Sequence, residues 1–330
     1  MNDAPSSTWF SASPDWGWFI ALYFFLGGLA GGCYFLGALI DLFGRSEDRP
    51  LARLGYYVAF PCVAVSGVLL TADLGRPLRF WHMMIESNTY RPMFKYWSPM
   101  SIGAWALLTF GLFTFLSFLG ALADDDPPSH KASADPGPRS HKTTDGARIR
   151  WAALRTIGTR WPMLRRLRAP SALGRVIAVV GTIFGLYIAG YTGVLLAVTN
   201  RPIWSDTPLL GMLFIVSATS TSAALIMLLA HRSGWTPPGL ANLSRMENWV
   251  IALELLVLIA VIVSLGPVLR AWLNAWGFLL LIVIILGMVA PLIHSWRARR
   301  LREWSMTTAV LVLVAGFLLR VIIVFSAESV

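Results

Sequence analysis

Eight uninterrupted apolar runs constrain this 330-residue chain more than any other feature. They fall at approximately 16–43, 54–73, 99–122, 174–198, 208–230, 247–266, 272–295 and 305–326. A helix needs about 20 such residues to cross the hydrocarbon core of a bilayer. Lipid offers no partners to backbone N–H and C=O groups, so a spanning segment must satisfy them internally. The runs are continuous rather than alternating, which excludes a closed β-barrel. The expected fold is an all-α polytopic membrane protein with eight transmembrane helices. Composition agrees: 56% of residues are hydrophobic and 13% charged, against about 25% charged in a soluble domain. The opening stretch MNDAPSSTWFSASPDWGW carries no basic residue ahead of the first run. It reads poorly as a cleavable signal, and the first run is expected to stay as a helix.

Lys and Arg set the expected orientation. Loops 44–53, 123–175, 231–246 and 296–304 hold 20 of them and the opposite side holds 7. The richer side is expected in the cytoplasm, with both termini outside, in a prokaryotic inner membrane. In a soluble chain a net charge of +10 would suggest nucleic acid. Here it gathers in one set of loops, and membrane lipid is the expected partner instead. The long loop divides in two. Its first half is polar and Pro-rich, with His130 and His141 expected to be solvated. Its second half spaces Trp151, Leu154, Ile157, Trp161 and Leu164 as one helical face between arginines. That pattern fits an amphipathic helix on the anionic inner leaflet or against a cytoplasmic partner.

A phrase occurs twice: SGVLLTADLGRP at 66–77 and TGVLLAVTNRP at 192–202, each followed by a tryptophan, Trp81 or Trp204. Both copies are expected to end helices on the outer face. Ser98-Pro99 and Thr207-Pro208 would then open the next helices as N-cap and first-turn proline. The repeat reads as duplication or as convergence on one way of ending a helix. Only the first copy has a carboxylate, Asp73, where the second has Thr199. A carboxylate at membrane depth takes a partner or a function. Asp73 therefore reads as an ion pair with Arg76 or Arg79, or as a proton acceptor. His82 follows in the same loop and can exchange protons near neutral pH.

Tyr191 lies inside the fourth run between Gly190 and Gly193. That arrangement suits close helix packing or a pocket for a flat ring. GGLAGG at 27–32, just after Tyr23, permits close helix approach. Glu254 and Arg320 are intramembrane charges that fit either a proton path or a polar core. The histidines, His82, His130, His141, His231 and His294, offer no facing pair at mid-depth for bis-histidine haem. Cys33 and Cys62 cannot supply an iron–sulfur cluster or a four-thiolate metal site. The chain is expected to carry no haem, cluster or metal of its own.

The stretches ALYFFLGGLAGG (21–32), DLGRPLRFWHM (73–83), SPMSIGAW (98–105) and GYTGVLLAVTNRPIW (190–204) occur in the order seen in the NrfD/PsrC family. The chain resembles that family, the membrane subunits of polysulfide-reductase-like complexes, strongly over 16–230 and mainly in hydropathy beyond. The resemblance implies two four-helix bundles. Segment 1–122 would hold helices 1–3 of a quinone-binding bundle, 123–173 the cytoplasmic loop, 174–198 the fourth helix, and 199–330 the second bundle. It implies an exchangeable quinone, menaquinone or ubiquinone, near the outer face. It also implies a ferredoxin-like iron–sulfur partner, usually docked to a molybdenum catalytic subunit.

Tyr191 stands where the family has a tyrosine touching quinone. On helix 1 the chain departs from the polysulfide reductase pattern, with Tyr23 in place of an expected His and Ile20 in place of an Asn. That departure turns attention to Asp73 or His82 as the proton-exchanging group. Arg76, Arg79, Arg91 and Lys95 would line the surface where the partner docks. The implied activity is that of a non-metal-bearing subunit of a quinol-dependent oxidoreductase. A transporter and a membrane anchor without a quinone site are the competing readings.

Overall fold

The computed structural model describes residues 16–123, 162–233, 238–298 and 306–327. His130, His141, Trp151, Leu154, Ile157 and Trp161 lie outside the described residues. Leu164 falls in a 3-10 segment, Pro162–Leu167.

Eight helices long and apolar enough to span a membrane occur among the described residues. They are α1 Trp18–Phe43, α2 Arg49–Ala72, α3 Pro99–Leu122, α4 Ala172–Ala197, α5 Leu210–Arg232 and α6 Gly239–Ser264. The seventh span, α7, is Ala275–Ser295; it runs from helix Ala275–Ile284 through a π-helical turn, Ile285–Val289, into a last helical piece. The eighth, α8, is Met306–Ser326. The molecule is a multi-pass all-α membrane protein.

Two helices start earlier than their apolar runs. α2 begins at Arg49 rather than near 54, with Pro50 in its first turn, where a missing N–H costs nothing. α6 begins at Gly239 rather than near 247. Its first turns, GLANLSRMEN, are too polar to register as a span. Asp48, before α2, accepts a hydrogen bond from the Gly239 N–H at 2.6 Å and satisfies one of the donors a helix start leaves open.

α1 is the centre of the molecule: 72% of its span is buried, against 28% for α3. GGLAGG explains how. A Cβ on Gly31 would run into the backbone of Gly185 on α4, and one on Gly32 into Ala218 and Ser222 on α5. Without side chains there, α1 wedges between α4 and α5 at backbone distance. The outward faces are apolar instead, as with Leu108, Leu112 and Phe115 on α3 and Leu256, Ile259 and Val263 on α6. Large apolar groups thus face outward as well as inward, which departs from the soluble pattern and suits lipid.

The molecule has two ends. At one, Arg168 pairs with Asp41 through two hydrogen bonds of 2.7 Å and donates to the Arg49 carbonyl. At the other, Trp204 donates to the Ile323 carbonyl at 2.7 Å, Trp272 to Ser326 at 2.9 Å, and Trp16 stacks on Trp204.

Candidate functional site

The second end of the molecule carries Asp73 and a cluster of three tyrosines. Tyr23 of α1 is 2% exposed. Its ring and the Ile188 side chain of α4 both lie within 4 Å of where a Cβ on Gly27 would stand, and the Ser66 hydroxyl of α2 closes the same spot. Tyr191 of α4 is buried over α3: Gly103 lacks a side chain where the Tyr191 ring sits. The Tyr191 hydroxyl donates to the Pro99 carbonyl at 2.9 Å. Tyr187, one helical turn back from Tyr191, stacks on it with centroids 5.6 Å apart. The three phenols are within electrostatic reach of one another. Leu69 and Leu70 of α2 and Leu107 of α3 pack against the core that holds Tyr23 and Tyr191. The sequence-predicted pair Tyr23 and Tyr191 thus comes together where α1, α2, α3 and α4 meet.

Asp73 is the residue after α2, three to four positions beyond Leu69 and Leu70. At about 1.5 Å per residue, that is roughly 5–6 Å farther along the axis. Asp73 makes no ion pair with Arg76 or Arg79 among the described residues. Desolvation at the helix end pushes its carboxyl above the ordinary carboxylate value, because losing water disfavours the charged form.

The loop that follows holds a 3-10 segment, Pro77–Met83, in which no residue is buried. It turns back through a small hairpin whose Met93 N–H donates to the Met84 carbonyl at 2.8 Å, and Trp105 of α3 anchors it by donating to the Met93 carbonyl at 2.9 Å. His82 is half-buried edge-on to Trp81, with centroids 3.8 Å apart. Arg76, Arg79, Arg91 and Lys95 are all exposed on this loop. So are Leu78, Phe80, Tyr96 and Trp97.

The two copies of the repeated phrase part company here. Trp81 is 37% exposed, whereas Trp204 is fully buried, with Arg201 over its ring at 5.8 Å. The helix openings differ too. Ser98 caps α3 by accepting from the Ser101 N–H. Thr207 opens no helix. Its hydroxyl is drawn to Ser264 of α6 at 2.7 Å, and α5 starts only at Leu210.

Glu254 and Arg320 lie in a separate polar strip. Ser220 of α5 donates to Glu254 Oε2 at 2.6 Å. Arg320 of α8 donates to Ser217 Oγ at 3.0 Å and to the Gly316 carbonyl at 2.6 Å. No direct ion pair joins Glu254 to Arg320 among the described residues; the hydroxyls of α5 stand between them. The Arg320 guanidinium also lies over Phe25 and Phe214, at 5.7 and 5.3 Å, and against Gly28 of α1. Adjacent glycines of α1 therefore face the tyrosine cluster (Gly27) and the arginine (Gly28). Among the described residues no group of three His, Cys, Asp or Glu is gathered as a metal site.

A family model described as polysulphide reductase, NrfD, matches residues 10–330. The chain belongs to this family. Three curated relatives are 23–25% identical to it over the stretches they match. A polysulfide reductase chain of Wolinella succinogenes is 24% identical over 95% of this protein and 94% of its own length. Protein NrfD of Escherichia coli is 25% identical over 76% and 71%. A selenate reductase subunit of Mesobacillus selenatarsenatis is 23% identical over 74% and 56%.

Several groups of this NrfD-family chain were not singled out from sequence. Tyr187 carried a usable signal, since a tyrosine four residues before Tyr191 shares its helix face. Asp41 and Arg168 carried none: they lie 127 positions apart and each reads as a charge at a helix end. Ser217 and Ser220 sit in SATSTS, where nothing marks which hydroxyl turns toward Glu254.

Proposed function

We propose that this NrfD-family chain is the quinone-reactive membrane subunit of a multi-subunit oxidoreductase. It would exchange electrons between membrane quinol or quinone and an iron–sulfur partner subunit. The observation that carries the reading is Tyr23, 2% exposed among apolar side chains, whose hydroxyl makes no hydrogen bond among the described residues. Buried polar groups in folded proteins are almost always paired. A quinone or quinol oxygen arriving from the bilayer would supply the missing partner, in an apolar surround that suits the rest of the ring. Further support comes from the names of the relatives, which belong to polysulfide and selenate reductases.

A bound quinol supplies two electrons and two protons. In this reading Tyr23 and Tyr191 line the ring site. The Asp73 carboxylate, its proton affinity raised by desolvation, and the His82 imidazole take up the two protons and release them to outer solvent. The two electrons leave singly for the partner's clusters, and the route reverses when quinone is reduced. The partner, with a molybdenum catalytic subunit behind it, docks over Arg76, Arg79, Arg91 and Lys95. Both termini face outside in this arrangement, in a prokaryotic inner membrane, with helices 1–4 as the quinone bundle and 5–8 as the second. For Glu254 and Arg320 we propose a part in proton translocation, supported by the Ser220 and Ser217 hydroxyls between them.

The test is to purify the protein with its co-encoded neighbours and measure quinol-analogue oxidation and cluster content. Asp73→Asn should cut quinol turnover while leaving cluster content and assembly intact. Full turnover in that variant removes Asp73 from the mechanism. A protein that purifies alone and shows substrate-dependent flux, with no quinol reaction, would favour transport.

A further inference from the structure

A groove of about 620 Å³ runs along α7 beside the end of α6, a volume within the range of small-ligand sites. It lies at the end of the molecule that holds Trp204 and Trp272. Ile262 of α6 and Leu273, Phe278, Leu281 and Ile284 line it. Leu273, Phe278 and Leu281 are 83%, 67% and 51% exposed, so the groove opens toward lipid and not toward the core. Its buried lining residue, Trp272, is fixed by a hydrogen bond to Ser326 at 2.9 Å, and a Cβ on Gly277 would overlap the Trp272 carbonyl. The groove is therefore preformed. From Asn274, just before α7, to Ile284 is ten residues, roughly 15 Å at about 1.5 Å per residue. That is half of the hydrocarbon layer of about 30 Å, the depth of one leaflet.

The groove is polar at its mouth. Asn274 is exposed there. Its Oδ1 accepts the Trp276 N–H at 2.9 Å, which leaves the Nδ2 hydrogens to donate. Arg270 is exposed in the 3-10 segment Gly266–Trp272. The Leu273 N–H donates to the Arg270 carbonyl at 3.1 Å, and residues three apart in such a turn share a face. Arg270 thus stands on the Leu273 side, at the mouth. Its guanidinium makes no ion pair or hydrogen bond among the described residues.

We propose that this groove binds one anionic phospholipid, with its phosphate held by Arg270 and Asn274 and one acyl chain laid along α7 as far as Ile284. A guanidinium matches phosphate oxygens in charge and in geometry. A zwitterionic head group would bring a second cation beside Arg270, so the site favours a lipid of net negative charge.

The test takes the complex purified with its co-encoded neighbours, delipidated in detergent. It is titrated with phosphatidylglycerol or phosphatidylcholine, and bound lipid is counted by native mass spectrometry. One charge-assisted hydrogen bond is worth about a factor of ten in Kd. The parent should hold one phosphatidylglycerol tighter than phosphatidylcholine by about that factor. Arg270→Gln should abolish the preference and Arg270→Lys should keep most of it. Leu281→Trp fills the groove from an exposed position and should weaken both lipids about tenfold, with the thermal midpoint in lipid-free detergent unchanged. Equal affinity of the parent for the two lipids, or undiminished phosphatidylglycerol binding in Arg270→Gln or in Leu281→Trp, overturns the proposal. So does lipid held by the chain alone but not by the complex, which would show a partner subunit covering the groove. A quinone recovered with the parent and lost in Leu281→Trp would give the groove to a quinone tail and overturn it equally.

Discussion

Gly103 offers the sharpest test of the packing beneath the tyrosine cluster. On α3, a methyl group at Gly103 would fall inside the space of the Tyr191 ring, whereas one at Gly111, two turns on, would meet nothing within 4 Å. Both substitutions to Ala bring the same intrinsic gain for a helix interior, about 0.8–1 kcal/mol. At Gly103 two costs oppose it. Overpacking a close-packed site costs about 1–3 kcal/mol. Displacing Tyr191 breaks its bond to Pro99, worth about 1 kcal/mol net. Gly103→Ala should therefore be about 2–4 kcal/mol less stable than Gly111→Ala, or about 30- to 1,000-fold in the unfolding equilibrium.

The assay is reversible unfolding in mixed detergent micelles of increasing denaturing-detergent fraction, followed by tryptophan fluorescence. Tyr191→Leu, introduced in both backgrounds, relieves the crowding. It should recover at least about 1 kcal/mol in the Gly103→Ala background relative to the Gly111→Ala background, the coupling expected of residues in contact. The reasoning fails if the two alanine variants agree within about 0.5 kcal/mol.

Other perturbations follow from the same structure. The Arg168 and Asp41 side chains are 4% and 1% exposed. Arg168→Met alone should cost about 3–5 kcal/mol by stranding the carboxylate, while Arg168→Met with Asp41→Leu should recover most of that loss; a thermal-shift double-mutant cycle reads it. Quinol oxidation should rise with pH as the Asp73 carboxyl ionises. Since desolvation raises that pKa, the acid limb should lie above the ordinary carboxylate value of about 4. Asp73→Glu should keep the limb and Asp73→Asn should abolish it. Charge reversal at the exposed loop, Arg76→Glu with Arg79→Glu, should weaken capture of the iron–sulfur subunit, and the difference from the parent should shrink as salt rises from 50 to about 500 mM. Trp204→Phe removes the donor to Ile323 and strands a buried carbonyl, so it should cost about 1–3 kcal/mol. Trp81→Phe, on the exposed copy of the repeat, should fall within about 0.5 kcal/mol of the parent.

The spans were legible because lipid imposes a single rule on every one of them, continuous apolarity over a fixed length. The rule stops where the bilayer does, which is why α2 and α6 were read short. The opening turns of α6 are polar, and what holds them helical is Asp48 at the Gly239 N–H, a contact 191 positions away. The repeated phrase shows the same limit in reverse. One local pattern, GVLL with a polar exit through Arg-Pro, ends a helix both times, so the shared part of the sequence decides only the helix ending. What lies beyond is settled by neighbours. Ile323 and Trp16 wait for Trp204, whereas Trp81 is left at the surface beside His82.

The tyrosine cluster was half legible for a related reason. Residue type and depth marked Tyr191, because a phenol in an apolar run needs an explanation, whereas Tyr23 was marked by the family resemblance. Which hydroxyl is free depends on where a third helix puts a carbonyl. The start of α3 sets Pro99 under Tyr191, and the missing side chain of Gly103 lets that ring settle there. That one contact commits the hydroxyl hydrogen of Tyr191 to α3. Tyr187, one turn back on α4, shares that face through its i, i+4 spacing and stacks on the same ring, while Tyr23 makes no hydrogen bond among the described residues.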